Sequence, residues 1–107
     1  MAKAYIKTLK KRDLTERVHE EAGGSYQQSE ERVRAIIQVL GDLLAEADPE
    51  VRIELRGLGV FEVKKTPANP NARNPRTNEP VFVPSRRKVT YRPGKRIREA
   101  MHRPLDD

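Results

Sequence analysis

Five prolines, Pro67, Pro70, Pro75, Pro80 and Pro84, fall within eighteen residues, and no other feature limits the fold as much. A proline has no backbone N–H to donate, so this stretch cannot be a central strand of a closed sheet. It can be a two-stranded ribbon, in which each strand keeps an outer edge that accepts proline. Val81 and Val83 alternate with Pro80, Phe82 and Pro84, the pattern of a returning strand rather than a disordered linker. The tip of the ribbon is then residues 73–79, Arg-Asn-Pro-Arg-Thr-Asn-Glu. This is a turn cluster that a hydrophobic core cannot use, so the sequence predicts an exposed arm over about 64–86.

The body around the arm reads in order. Residues 8–22 form a first helix, with Thr8 as a possible cap and Leu14, Val18 and Ala22 at four-residue spacing. Gly23-Gly24 stops it. Ser25 caps a second helix, with Gln28 placed to complete a capping box. Along it, Val33, Ile36, Ile37, Leu40, Leu43 and Leu44 make the richest apolar stripe in the chain, read as core. Asp48-Pro49 ends the helical part, 8–47. Val51, Ile53 and Leu55 alternate with Arg52, Glu54 and Arg56, and Phe61 and Val63 with Glu62 and Lys64. With Gly57-Leu58-Gly59 as the turn, 51–65 is a hairpin. After the arm, Val89 and Tyr91 resume a buried alternation, completing a sheet over 51–93. Pro93-Gly94 breaks the strand, and 94–101 is a short final helix. The ends, 1–7 and 102–107, are polar tails. The expected class is α+β in a single domain.

Charge narrows the function. Net charge is +6, but residues 1–50 balance at −2 and residues 51–107 at +8. Residues 64–98 alone hold 11 Lys/Arg and one acid, Glu79. Such an excess repels itself unless a polyanion neutralises it. Only 36% of residues are hydrophobic and 5% aromatic, with no Trp. With part of that apolar material outside a compact body, a single chain has little to bury, which points to a dimer sharing one core.

Other classes find no support. There is no cysteine, so no disulfide or thiolate metal site is expected. His19 and His102 have no metal-ligand spacing and read as satisfied or solvent-facing. No apolar run is long enough for a signal peptide or membrane helix, and a cytosolic protein is expected. Gly57-Leu58-Gly59 leads into a strand, not the helix a dinucleotide site needs. No nucleophile stands with a base. The expectation is no enzyme, no cofactor, no metal and no small-molecule substrate.

The basic residues suit nucleic acid. Arg73 and Arg76 at the tip can neutralise phosphates or reach into a minor groove. Asn74 and Thr77 offer short polar groups to base edges or sugars. Pro75 is either a turn-former or a rigid apolar wedge able to unstack a base step. Lys64 and Lys65 begin the basic stretch. In a strand, Arg86, Lys88, Thr90 and Arg92 share one face while Arg87, Val89 and Tyr91 share the other. Lys95 and Arg96 open the last helix, where Gly94 and backbone amides could receive a phosphate.

Three segments carry a resemblance. Residues 57–63, Gly-Leu-Gly-Val-Phe-Glu-Val, are similar to the Gly-Phe-Gly-x-Phe-x-Val of the HU and integration host factor family of bacterial DNA-bending proteins. Residues 73–79 resemble its Arg-Asn-Pro-x-Thr-Gly-Glu, and residues 91–95, Tyr-Arg-Pro-Gly-Lys, its Phe-x-Pro-Gly-Lys. The likeness runs from about Lys10 to Met101. It implies an intertwined dimer with two N-terminal helices per chain, a three-stranded antiparallel sheet, a long β-ribbon arm and a short C-terminal helix. Val33, Ile36, Ile37, Leu40, Leu44, Leu58, Phe61 and Tyr91 would form the shared core. Each arm would wrap the minor groove of double-stranded DNA, with Pro75 intercalating at a kink. Arg86, Arg87, Lys88, Arg92, Gly94, Lys95 and Arg96 would hold flanking phosphates. Asn78 stands where the family usually has glycine, and Leu58 and Ile37 where phenylalanine is common. The partner could be a second copy or a related subunit. Two other functions stay open on the residues: an RNA-binding or ribosome-associated protein, and a protein-interaction domain that kept the fold without bending DNA.

Overall fold

A computed structural model of the chain describes residues 6–106. Residues 1–5 of the expected N-terminal tail and Asp107 of the C-terminal one lie outside the described residues. The elements are α1 (Lys11–Ala22), α2 (Tyr26–Ala45), β1 (Val51–Leu55), β2 (Gly59–Thr66), β3 (Asn69–Arg73), β4 (Pro80–Val83), β5 (Arg86–Pro93) and α3 (Lys95–Met101). They fall into two compact units that divide between Ala45 and Glu46.

In the helical unit, the start of α1 differs from expectation. Thr8 lies outside the helix, and Lys10 is the N-cap residue in extended backbone. The carboxylate of Asp13 accepts from the Lys10 N–H at 2.8 Å. An acid in the first turn meets the positive end of the helix dipole, which sets the start three residues later than the sequence suggested. Gly23, at φ 72°, ends the helix and donates its N–H to the His19 carbonyl at 3.0 Å. Ser25 caps α2 as expected. Its Oγ accepts from the Gln28 N–H at 3.1 Å, and Gln28 Oε1 accepts from the Ser25 N–H at 3.0 Å.

Burial in this unit also departs from the apolar pattern. Leu14 is half exposed, while Thr15, Ser29 and Val33 are the deeply buried residues. Small side chains let helices approach closely. The Thr15 hydroxyl is spared a desolvation cost because it donates to the Lys11 carbonyl at 2.9 Å. Ser29 Oγ and His19 Nδ1 are buried with no hydrogen-bond partner. His19 as a residue is only partly buried, and its ring stands edge-on to Tyr26 at 5.8 Å. The α2 stripe is not a core within one chain. Val33 is buried and Leu40 and Leu44 partly so, but Ile36, Ile37 and Leu43 are 59%, 44% and 45% exposed.

The second unit holds an antiparallel sheet of order β1-β2-β5. Arg52 pairs with Glu62 and Glu62 with Thr90; Ile53 pairs with Phe61 and Phe61 with Tyr91. Side chains of directly paired residues share a face. One face therefore carries Ile53, Phe61, Val63, Val89 and Tyr91, and the other carries Arg52, Glu54, Glu62, Lys64, Lys88, Thr90 and Arg92. Phe61 and Tyr91 touch, with ring centroids 5.0 Å apart. Val89 and Tyr91 are nevertheless exposed, so the expected alternation is present but only half covered. At the β1–β2 turn Gly59 has φ 142°. A Cβ there would stand 2.2 Å from the Arg92 carbonyl oxygen, so only glycine fits.

The arm is a ribbon and not a linker. It forms its own two-stranded sheet, β3 with β4. The ladder that ends at Thr66 opposite Arg86 resumes only at Asn69 opposite Val83. Pro67 and Pro84 sit in that gap, one on each strand, where neither could donate. The Thr66 hydroxyl closes the body side by donating to the Arg86 carbonyl at 3.2 Å and accepting the Arg86 N–H at 3.1 Å. A register shift between Asn69 and Ala72 absorbs Pro70.

Candidate nucleic-acid interface

The tip is a folded object built by its own side chains. Asn74 Oδ1 accepts the Arg76 N–H at 2.9 Å, a local turn that holds Pro75 at the corner. The Asn78 N–H donates to the Asn74 carbonyl at 2.7 Å, and the Asn74 N–H to the Glu79 carbonyl at 2.9 Å. Arg73 Nη1 donates to the Asn78 carbonyl at 3.0 Å. Asn78 adopts φ 59°, the left-handed region that asparagine tolerates better than most residues. Pro75, Arg76 and Thr77 are all exposed. The Asn74 side chain, expected to face bases or sugars, here shapes the turn. Thr77 Oγ1 accepts the Glu79 N–H at 3.4 Å and keeps its own proton to donate. Arg73 has further N–H groups beyond the one it spends.

The sheet divides the remaining cations. Lys64, Arg86, Lys88 and Arg92 lie on the polar face, as the alternation predicts. Lys65 and Arg87 pair with each other on the opposite face. Arg87 Nη1 donates to the Ala47 carbonyl, and the Lys65 N–H donates to Glu50 at 3.1 Å. These two are thus separated from the polar-face cluster. Within that cluster stands a residue the sequence did not single out. Glu62, with its side chain only 12% exposed, binds Arg92 through Oε1 and approaches Lys64 Nζ at 3.7 Å through Oε2. Arg52 and Glu54 form a further pair at 2.8 Å. The polar face carries less net positive charge than its lysines and arginines suggest.

The start of α3 is tied to the β1–β2 turn. The Leu58 carbonyl accepts both the Tyr91 hydroxyl at 2.8 Å and the Gly94 N–H at 3.0 Å. One carbonyl thus joins segments 57–63 and 91–95, which are far apart in sequence. It also uses the Gly94 amide, so phosphate contacts at this end would fall to Lys95, Arg96 and the amides after them. Gly94 has φ −74°, and a Cβ there would meet its neighbours at an ordinary 3.5 Å. Its glycine is not needed for backbone conformation.

Among the described residues, no group of three or more His, Asp or Glu could hold a metal ion. No helix among them is long and apolar enough to cross a membrane.

Comparison with known proteins gives a consistent result. The profile of a family described as bacterial DNA-binding protein matches residues 9–102. Integration host factor subunit alpha of Hydrogenovibrio crunogenus is 36% identical over 90 residues, covering 84% of this chain and 89% of the relative. The subunit alpha of Xanthomonas campestris is 33% identical over 91 residues, covering 85% and 88%. Among solved structures, an Anabaena HU–DNA cocrystal structure superposes with a TM-score of 0.72 at 28% identity, covering 90% of this chain and all of that one.

Proposed function

Because the chain belongs to the HU and integration host factor family of bacterial DNA-binding proteins, we propose that it is an architectural protein that bends duplex DNA as a dimer. The observation that carries this reading is the tip of the arm. An exposed proline stands at the corner of a turn fixed by Asn74, between Arg73 and Arg76, on a ribbon whose residues are mostly exposed among those described. The two arginines bring the tip to the minor groove, where phosphates flank a narrow, electronegative trough. Pro75 then enters a base step. Minor-groove architectural proteins, this family among them, kink DNA by about 20–90° in this way, and added contacts offset an unstacking cost of a few kcal/mol per step. Arg86, Lys88, Arg92, Lys95 and Arg96 hold the flanking phosphates and keep the bent duplex against the body.

A dimer supplies the second arm that wrapping needs. Its support is exposed apolar surface in each unit taken by itself: Ile36, Ile37 and Leu43 on α2, and Leu58 and Tyr91 in the sheet unit. Their partner is a second copy or a related subunit. The protein would act in the nucleoid, compacting DNA or shaping it for larger nucleoprotein assemblies.

Pro75→Ala is the direct test. It should reduce the bend angle, read by fluorescence transfer between the duplex ends, far more than it reduces affinity. Arg73→Ala and Arg76→Ala should instead weaken binding and flatten its salt dependence. Unchanged bending in Pro75→Ala would sink the intercalation role. Preference for duplex RNA over duplex DNA in competition would sink the DNA reading.

A further inference from the structure

The arm carries a second exposed apolar group that the proline wedge does not explain. Phe82, on β4, is 64% exposed and makes no ring contact with the other aromatic side chains described. Arg73 pairs with Pro80 and Ala72 with Val81. Alternation along β4 then sorts the ribbon into two faces. Arg73, Pro80 and Phe82 lie on one, and Ala72, Val81 and Val83 on the other. The phenylalanine thus shares its face with a tip arginine. It lies two residues behind the Arg73–Pro80 pair, about 7 Å toward the body at the usual strand rise.

An aromatic ring this exposed on a narrow ribbon leaves most of its apolar surface in water, which is unfavourable until a partner covers it. We propose that Phe82 is a second DNA contact, pressing into the minor groove behind Pro75, on the body side of the Arg73–Pro80 pair. The inference rests on the DNA-bending function proposed above. Duplex DNA is the occupant because of charge. The ring is carried on a stretch, residues 64–98, with 11 cations and one acid, and it faces the side that Arg73 faces. Phenylalanine is also among the side chains able to lean on sugars or wedge at a base step in that groove. A contact of this kind adds affinity without releasing counterions, so its contribution does not depend on salt.

That independence provides the test. Phe82→Ala and Phe82→Leu should fold normally, since most of the ring is exposed. Phe82→Ala should bind duplex DNA about tenfold more weakly at every salt concentration, leaving the slope of log K against log salt unchanged. Phe82→Leu should recover part of the loss. The chain has no tryptophan, so Phe82→Trp gives a single fluorescent reporter. Its emission should be quenched on titration with duplex DNA and become protected from iodide. Wild-type affinity in Phe82→Ala, or unchanged tryptophan emission while DNA binds, would overturn the inference alone. A change in oligomeric state with DNA affinity intact would overturn it in favour of a protein contact. Failure of the unaltered protein to bind duplex DNA would overturn the functional reading and this inference together.

Discussion

Glu62 shows how one side chain alters the electrostatics that the sequence suggests. It precedes the basic stretch and reads there as one member of a strand alternation. In the fold its carboxylate lies against Lys64 and Arg92, two of the cations expected to meet phosphate. Replacing it with the neutral isostere, Glu62→Gln, should release both for DNA. Affinity should rise at low salt, and the slope of log K against log salt should steepen by about 0.9 for each of the two cations that gains a phosphate contact. Equal slopes for the two proteins would show that Lys64 and Arg92 do not reach the duplex. Gly59 gives a second prediction at this scale. Its φ of 142° and the Arg92 carbonyl 2.2 Å from any Cβ mean that Gly59→Ala must shift backbone, not a flexible side chain. A loss of roughly 2–4 kcal/mol is expected in denaturant unfolding, and a loss below about 0.5 kcal/mol would show that the turn relaxes freely. The turn itself was legible in the sequence. The approach of Arg92 was not, because it depends on a register set by residues more than thirty positions away.

At the level of elements, what could be read was what is local. Ser25 and Gln28 are three residues apart, and both hydrogen bonds of their box are present. Ser25→Ala should cost about 1 kcal/mol, lowering the melting temperature by a few degrees; no change in melting would mean that α2 does not need its cap. The five-proline ribbon was legible for the same reason, since a missing N–H excludes a central strand wherever it occurs. The start of α1 was misread because Thr8 is a good cap by type, whereas Asp13 caps by position. Burial of Thr15 in place of Leu14 was hidden because helix packing selects small side chains at close approach, a property of pairs of elements. The break between Thr66 and Asn69 needed the cross-strand register, which places Pro67 and Pro84 in the same gap. The local turn at Asn74 could have been inferred from its side chain alone, which accepts from the backbone two residues on.

The molecule as a whole is short of core. The buried apolar residues described are Val33, Ala47 and Val63, while Ile36, Ile37, Leu43, Leu58 and Tyr91 are each more than 40% exposed. A chain of 107 residues needs a sizeable buried core to fold alone, and few apolar side chains among the described residues are fully buried. If folding is coupled to pairing, stability must depend on concentration, because dilution favours the dissociated, unfolded chains. Each tenfold rise in concentration adds about 1.4 kcal/mol per dimer. Two chains of 107 residues carry an unfolding entropy of roughly 0.45 kcal/mol/K near 60 °C. The melting temperature should therefore climb by about 3 °C per tenfold increase in protein. Ile36→Asp, at the most exposed position of the α2 stripe, would bury an unpaired charge against the partner. It should shift the protein to monomer in sedimentation and abolish tight bending, although Ile36 is remote in sequence from every basic residue of the arm. A melting temperature independent of concentration, together with a monomer that bends DNA as the unaltered protein does, would show that one arm suffices and that the exposed stripe serves some other end.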